Sequence, residues 1–224
     1  MFSLAGTRRG LSVSSAGFAQ PVGAGAKRAI DIVLALSGIV LMAPLLVFCF
    51  LATLLTSSKS VVFRHRRIGF QGRSFDCYKF RTMVENADEC LREYLAANPE
   101  ASAEWAATRK LKFDPRVTAL GAILRKTSLD ELPQLFNVLK GDMSIVGPRP
   151  VVNEELERYS TSIHAYYACR PGITGLWQVS GRSSTTYAKR VACDTYYARH
   201  WSIMLDAQIV LVTLPALLNS DNAY

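Results

Sequence analysis

From Ile32 to Thr56 the chain reads IVLALSGIVLMAPLLVFCFLATLLT without one charged side chain. A helix rises about 1.5 Å per residue and a bilayer's hydrocarbon core is about 30 Å thick, so this segment is a membrane candidate rather than a core helix. It is no secretory signal: it lies too far from the start, and no small-residue cleavage site follows. The tract after Arg8-Arg9 is too polar for a twin-arginine signal. Lys27 and Arg28 precede the segment, and Lys59, Arg64, Arg66 and Arg67 follow it, so the positive-inside rule draws both ends to the cytoplasm. A straight span does not satisfy that. Pro44 sits mid-segment, where it removes a backbone donor and bends a helix. A helix-break-helix hairpin that enters and leaves one leaflet resolves the conflict, and a kinked transmembrane helix is the plain alternative. Asp31 is expected near the head groups.

The remainder suits one domain, since 224 residues bury a sizeable core without staples. The expected division is a flexible basic tail over 1–26, the membrane segment over 27–58, a cytoplasmic domain over 59–218 and a short tail over 219–224. The fold class expected is α+β and mostly helical, with a re-entrant membrane hairpin, a small β-hairpin and interfacial helices. Cys49, Cys77, Cys90, Cys169 and Cys193 show neither pairing nor metal-ligand spacing and read as reduced thiols. A net charge of +8 calls for an anionic partner: nucleic acid, acidic lipid or a phosphorylated substrate. Nucleic acid fits poorly, because the basic residues are not interleaved with aromatic ones.

Val61 to Met83 alternates in short apolar stretches broken by Gly69 and Gly72, which predicts a hairpin. Lys79 and Arg81 would share one face of its second strand, as a phosphate grip or as an ordinary basic edge. Residues 84–110 read as helical with a break at Asn98-Pro99, and Asp114-Pro115 opens a helix through Lys126. Residues 151–169 predict another helix, with His164, Tyr166 and Tyr167 as core or interface filling. Arg170 to Gly175 reads as a turn-rich loop extended by Ser180-Gly181-Arg182. Helices follow from about Thr185 to Arg199 and from Trp201 to Leu218, the latter closed by Pro215 and lying in the core or at the interface.

The chemistry concentrates between Arg125 and Pro150. Asp130 and Glu131 stand side by side behind Arg125 and Lys126, and Asp142 follows in a Gly-Asp turn. Arg149 is clamped between Pro148 and Pro150. Ser128 and Glu131 have capping-box spacing, so helix capping explains the acidic pair in purely structural terms, although Pro133 makes Asp130 the better N-cap. The functional alternative is a carboxylate pair among arginines, which binds a divalent metal and leaves one oxygen as a nucleophile. A proline-clamped guanidinium grips phosphate oxygens at low entropic cost.

The stretches KRAIDIVLAL with Pro44, RRIGFQGRSFDCYKFRTM, LRKTSLDELPQLFNVLKGDMSIVGPRP, RPGITGLWQVSGRS and YYARHWSIMLDAQIVLVTL, in that order over residues 27–218, resemble the bacterial sugar transferases, the monotopic phosphoglycosyl transferases. The nearest type is the short exopolysaccharide-initiating enzymes. The resemblance implies transfer of a sugar 1-phosphate from a UDP-sugar to undecaprenyl phosphate with release of UMP, at the cytoplasmic face of the bacterial inner membrane. It implies Asp130 as nucleophile through a phosphosugar-aspartate and Glu131 as the Mg2+ ligand. It also implies Lys79, Arg81, Arg125, Arg149 and Arg170 as substrate-binding residues, Asp142 as a supporting carboxylate, and membrane lipids and downstream glycosyltransferases as partners. It fixes neither the sugar nor the oligomeric state. A non-catalytic membrane-tethered binding or scaffold protein is the alternative, and it leaves the carboxylate pair without a purpose. The chain departs from the family at Ala43-Pro44, where relatives often carry Ser-Pro, and at Ser57 to Ser60, where many have Gly-Pro.

Overall fold

The computed structural model describes residues 20–56, 60–108, 111–180 and 186–218. The expected tail residues 1–19 and 219–224, the stretch from Ser57 to Lys59, and Gly181-Arg182 lie outside these. Helix α1, Ala24–Thr56, contains the apolar segment and runs through Pro44 as one continuous helix. The break expected at Pro44 is therefore a proline held inside a helix. Docking on both sides of it supplies the reason: Ala35 packs in one core cluster with Phe75 and Val138, and Cys49 in another with Phe80 and Leu124.

One stripe of α1 is buried, through Lys27, Asp31, Ala35, Cys49 and Thr53, at the four-residue spacing of a helix face. Lys27 Nζ meets Asp206 at 2.6 Å, and the Arg28 guanidinium donates to the Val138 and Leu139 carbonyls. Asp31 is 2% exposed and bonded to the domain, where Oδ1 accepts from Ser144 Oγ at 2.9 Å and Ile145 N at 3.0 Å. The remaining stripe exposes Val33, Val40, Leu41, Phe48 and Leu55, each at 60% or more. So large an apolar face is foreign to a monomer in water.

Strands β1 (Val62–Ile68) and β2 (Ser74–Phe80) form the expected antiparallel hairpin, with His65 opposite Cys77 and Phe63 opposite Lys79. The turn between them needs left-handed backbone at Gln71 and Gly72. Helices α2 (Ala87–Ala97) and α3 (Pro99–Thr108) meet at the expected Asn98-Pro99 break. Helix α4 (Ala119–Lys126) starts later than Asp114, because Thr118 caps it by accepting from Gly121 N at 2.9 Å. A 3-10 turn, Leu129–Glu131, and helix α5 (Gln134–Lys140) follow.

Strand β3 (Ser144–Val146) pairs in parallel with β4 (Gly172–Thr174), which the sequence reading treats as a loop. Glycine permits the contact: a Cβ on Gly172 would come 2.1 Å from Gly147 N. The helix expected over 151–169 is a 3-10 stretch, Asn153–Ser162, kinked at Ser160, and then α6, Ile163–Tyr167. Of the three aromatic positions Tyr166 is buried and Tyr167 half-buried, whereas His164 is exposed and fills no core. Short α7 (Leu176–Val179) leads to α8 (Tyr187–His200), capped by Thr186, and α9 (Ile203–Leu218), in which Pro215 lies inside rather than closing the helix. Helix α9 buries Ile209 and exposes Met204 and Leu211, so it has both a core and an outer face.

Candidate active site

The carboxylate pair sits where the end of β2 meets the turn after α4. Asn137, wholly buried on α5, fixes that meeting: its Oδ1 accepts from Tyr78 N at 2.9 Å and its Nδ2 donates to the Asp76 carbonyl at 2.7 Å. Helix α4 closes on β2 from the other side, because Gly121 has no Cβ to strike the Thr82 carbonyl, which would lie 2.1 Å away. Arg125 Nε, on the last turn of α4, donates to Thr82 Oγ1 at 2.9 Å.

Neither capping reading holds. Ser128 is left-handed (φ 57°) and makes no side-chain cap bond, Asp130 lies inside the 3-10 turn, and Pro133 stands at the N-cap of α5. The left-handed residue bends the chain so that both carboxylates face the β2 ammonium. Lys79 Nζ lies 2.5 Å from Glu131 Oε1 and 3.9 Å from Asp130 Oδ2.

The two acids have opposite electrostatics. Burial pushes the Asp130 carboxyl up to about 6 against the pull of Lys79, with the Glu131 charge adding to the rise and Arg125 opposing it. Burial also acts on Glu131, but Lys79, Arg149 and Arg67 outweigh it and hold that carboxyl below its ordinary range. Asp130 thus keeps its proton to higher pH than an ordinary aspartate, and Glu131 gives its proton up more readily than an ordinary glutamate. Lys79 shows that a cation has room between them. Among the described residues no three acidic, His or Cys side chains cluster as a metal cage, so a metal held here would complete its oxygen shell from a phosphorylated substrate, as Mg2+ commonly does.

The other expected residues divide. Lys79, Arg125 and Arg149 belong to the electrostatic environment of the pair. Arg149 is exposed, with its guanidinium 5.7 Å from the Trp177 ring centre and its carbonyl 3.5 Å from Arg190 Nη2. Arg81 turns away: its Nε donates to the Ser60 carbonyl at 2.7 Å and its guanidinium lies over Phe63. Arg170 lies at the opposite end of β2, donating from Nε to the Gly141 carbonyl at 2.9 Å. Asp142 is there too, paired with Lys140 at 3.0 Å.

Arg67 was missed. Strand register places Arg67, His65 and Lys79 on one face of the hairpin, and Arg67 donates to the Pro150 carbonyl at 3.4 Å. Period-two alternation in VFRHRRI carries that signal, although as a sequence feature the arginine stands out only as a membrane-flanking charge. Arg190 was missed as well. It lies 5.1 Å from the Trp177 ring centre, so that ring faces both Arg149 and Arg190; nothing in the sequence joins residues so far apart.

Fold and site together define a protein with one helix long and apolar enough to cross a membrane and with paired carboxylates ringed by cations suited to phosphate. Residues 22–220 match the bacterial sugar transferase family, and the chain belongs to it. It is 50% identical over 208 residues to the "Exopolysaccharide production protein ExoY" of Rhizobium meliloti, covering 93% of this chain and 92% of that protein. It is 48% identical over 198 residues to the "Undecaprenyl-phosphate galactose phosphotransferase" of Salmonella typhimurium, covering 88% of this chain and 41% of that one. A "UDP-glucose:undecaprenyl-phosphate glucose-1-phosphate transferase" of Caulobacter vibrioides is 42% identical over 206 residues, covering 88% and 72%.

Proposed function

We propose that the chain is a phosphoglycosyl transferase that moves a sugar 1-phosphate from a UDP-sugar to undecaprenyl phosphate, releasing UMP and starting exopolysaccharide or related glycan synthesis. The observation that carries the reading is the geometry of the pair: Asp130 and Glu131 side by side under one lysine, 3.9 and 2.5 Å from its Nζ, with burial raising the Asp130 carboxyl and the surrounding cations lowering that of Glu131.

An Asp130 oxygen attacks the sugar-bearing phosphorus, the bond from that phosphorus to the UMP oxygen breaks, and UMP leaves. A phosphate oxygen of the lipid then attacks the same phosphorus and expels the Asp130 carboxylate, giving the diphosphate-linked sugar. One phosphoanhydride replaces another, so no ATP is consumed. Burial strips water from the attacking carboxylate, while Lys79, Arg125, Arg149 and Arg67 offset the repulsion between anions that must meet. Glu131 would hold Mg2+, which when bound supplies charge neutralisation at the diphosphate.

The protein acts from the cytoplasmic face of the inner membrane, with the apolar stripe of α1 in lipid. Docking of Lys27 and Cys49, at the two sides of Pro44, on one domain supports an α1 that keeps both ends on the domain's side of the bilayer rather than crossing it. Incubating the full chain with a panel of UDP-sugars, Mg2+ and undecaprenyl phosphate tests the function: UMP release is expected with at least one sugar, and none across the panel refutes it in favour of a scaffold.

A further inference from the structure

Arg170 leads to a second basic site, on the far side of the hairpin from Asp130. A cleft of about 600 Å3 opens between the first turn of α1, the β1–β2 turn and the end of α5, with Arg28, Arg73, Arg170, Gly141 and Asp142 on its wall. Its volume is within the roughly 300–1,000 Å3 of small-molecule sites. Arg28 and Arg170 converge on Gly141: one guanidinium caps the Val138 and Leu139 carbonyls, the other takes the Gly141 carbonyl.

Capping α5 explains part of this, since a helix C-terminus carries roughly half a negative charge. It does not account for a third arginine. Arg73 donates to no side chain or carbonyl through its guanidinium among the described residues, yet it faces the same space. Asp142 is paired with Lys140 at 3.0 Å, and Asp31 is the remaining acid acting on Arg170. The three arginines and Lys140 therefore exceed the two acids and the helix end by roughly one to two positive charges. The burial of Arg170 and the nearness of Arg28 both strain its charged form, which an anion would relieve. The cleft also borders the apolar surface, because Gly23 and the start of α1 pack on Trp201, just before the exposed Ile203 and Met204 of α9.

We propose that this Arg28–Arg73–Arg170 cleft binds a phosphate group, either of an anionic lipid head group at the membrane surface or of a soluble phosphoester, separately from the transferase site. The inference does not depend on the proposed reaction.

The test is calorimetric titration of the full chain in neutral detergent, without UDP-sugar, using short-chain phosphatidylglycerol in one arm and inorganic phosphate in the other. Saturable binding is expected, weakened at least tenfold by Arg73→Gln and unchanged by Arg158→Gln, an exposed arginine elsewhere. Arg73 caps nothing, and an unaltered melting curve confirms that the variant is folded. Binding in the lipid arm alone identifies a head-group site; binding in both arms, with competition, identifies a soluble phosphoester. Equal affinity in wild type and Arg73→Gln, or absence of saturable binding in both arms, overturns the proposal.

Discussion

Replacing Asp130 by asparagine should make the fold more stable at pH 8 while destroying its activity. The carboxyl rises from an ordinary 3.8 to about 6 on folding, which corresponds to about 3 kcal/mol against the folded state once the group is ionised in both states. Between those values the folded chain holds a proton that the unfolded chain has released. Stability therefore falls as pH rises from about 4 to about 6, and the penalty is complete above that. Asparagine keeps the shape and never ionises. The net value already contains the pull of Lys79, but the asparagine amide is a poorer neighbour than a neutral carboxyl for an ammonium 3.9 Å away, so about 1–2 kcal/mol is expected. That is about 2–8 °C in melting temperature for a domain of this size. The assay is differential scanning fluorimetry of both proteins in one detergent at pH 8 and pH 4. Asp194, also pushed to about 6, titrates in both and cancels. A melting temperature for the variant equal to or below wild type at pH 8, or a gain that persists at pH 4, refutes the claim that a strained charge is stored at Asp130.

The same carboxyl predicts that turnover drops tenfold per pH unit below about 6, as the nucleophile takes up its proton. Lys79→Met removes the largest charge holding that value down, so the acid limb should move to higher pH; a rate profile with an unmoved limb contradicts the Lys79 assignment. Asn137→Ala leaves β2 and α5 without the two bonds that join them and should cost about 2–4 kcal/mol, read as a lower unfolding midpoint. Single cysteines introduced near residues 26 and 60, in a chain lacking its other thiols, should both resist a membrane-impermeant reagent applied to whole cells. Labelling of one alone indicates a true span.

The hairpin, the break before Pro99 and the apolar length of α1 were legible because each is written in local sequence: period-two alternation, proline, an uncharged run. The parallel β3–β4 pair was not. Its strands are three residues each, too short for periodicity, and the glycines that permit their approach are the residues that signal a turn. Pro44 marks a helix break by local rules, yet packing on both sides of it holds α1 together. At the site, the type and adjacency of Asp130 and Glu131 were visible, and Lys79 and Arg149 came with them. Their opposite electrostatics were not, since burial raises both carboxyls and only Lys79, Arg149 and Arg67, which reach the pair through tertiary contact, reverse the sign at Glu131. Arg170 shows the reverse: a residue assigned to the site by resemblance that the fold carries elsewhere.

The most direct test of the central claim is the intact mass of the full chain after incubation with a reactive UDP-sugar and Mg2+ but no lipid acceptor. One sugar phosphate should be added to the wild type, mapped by peptide digestion to Asp130, lost on adding undecaprenyl phosphate and absent in Asp130→Asn. An adduct that forms equally in that variant, or UMP release that strictly requires the lipid with no adduct at any time, would contradict it.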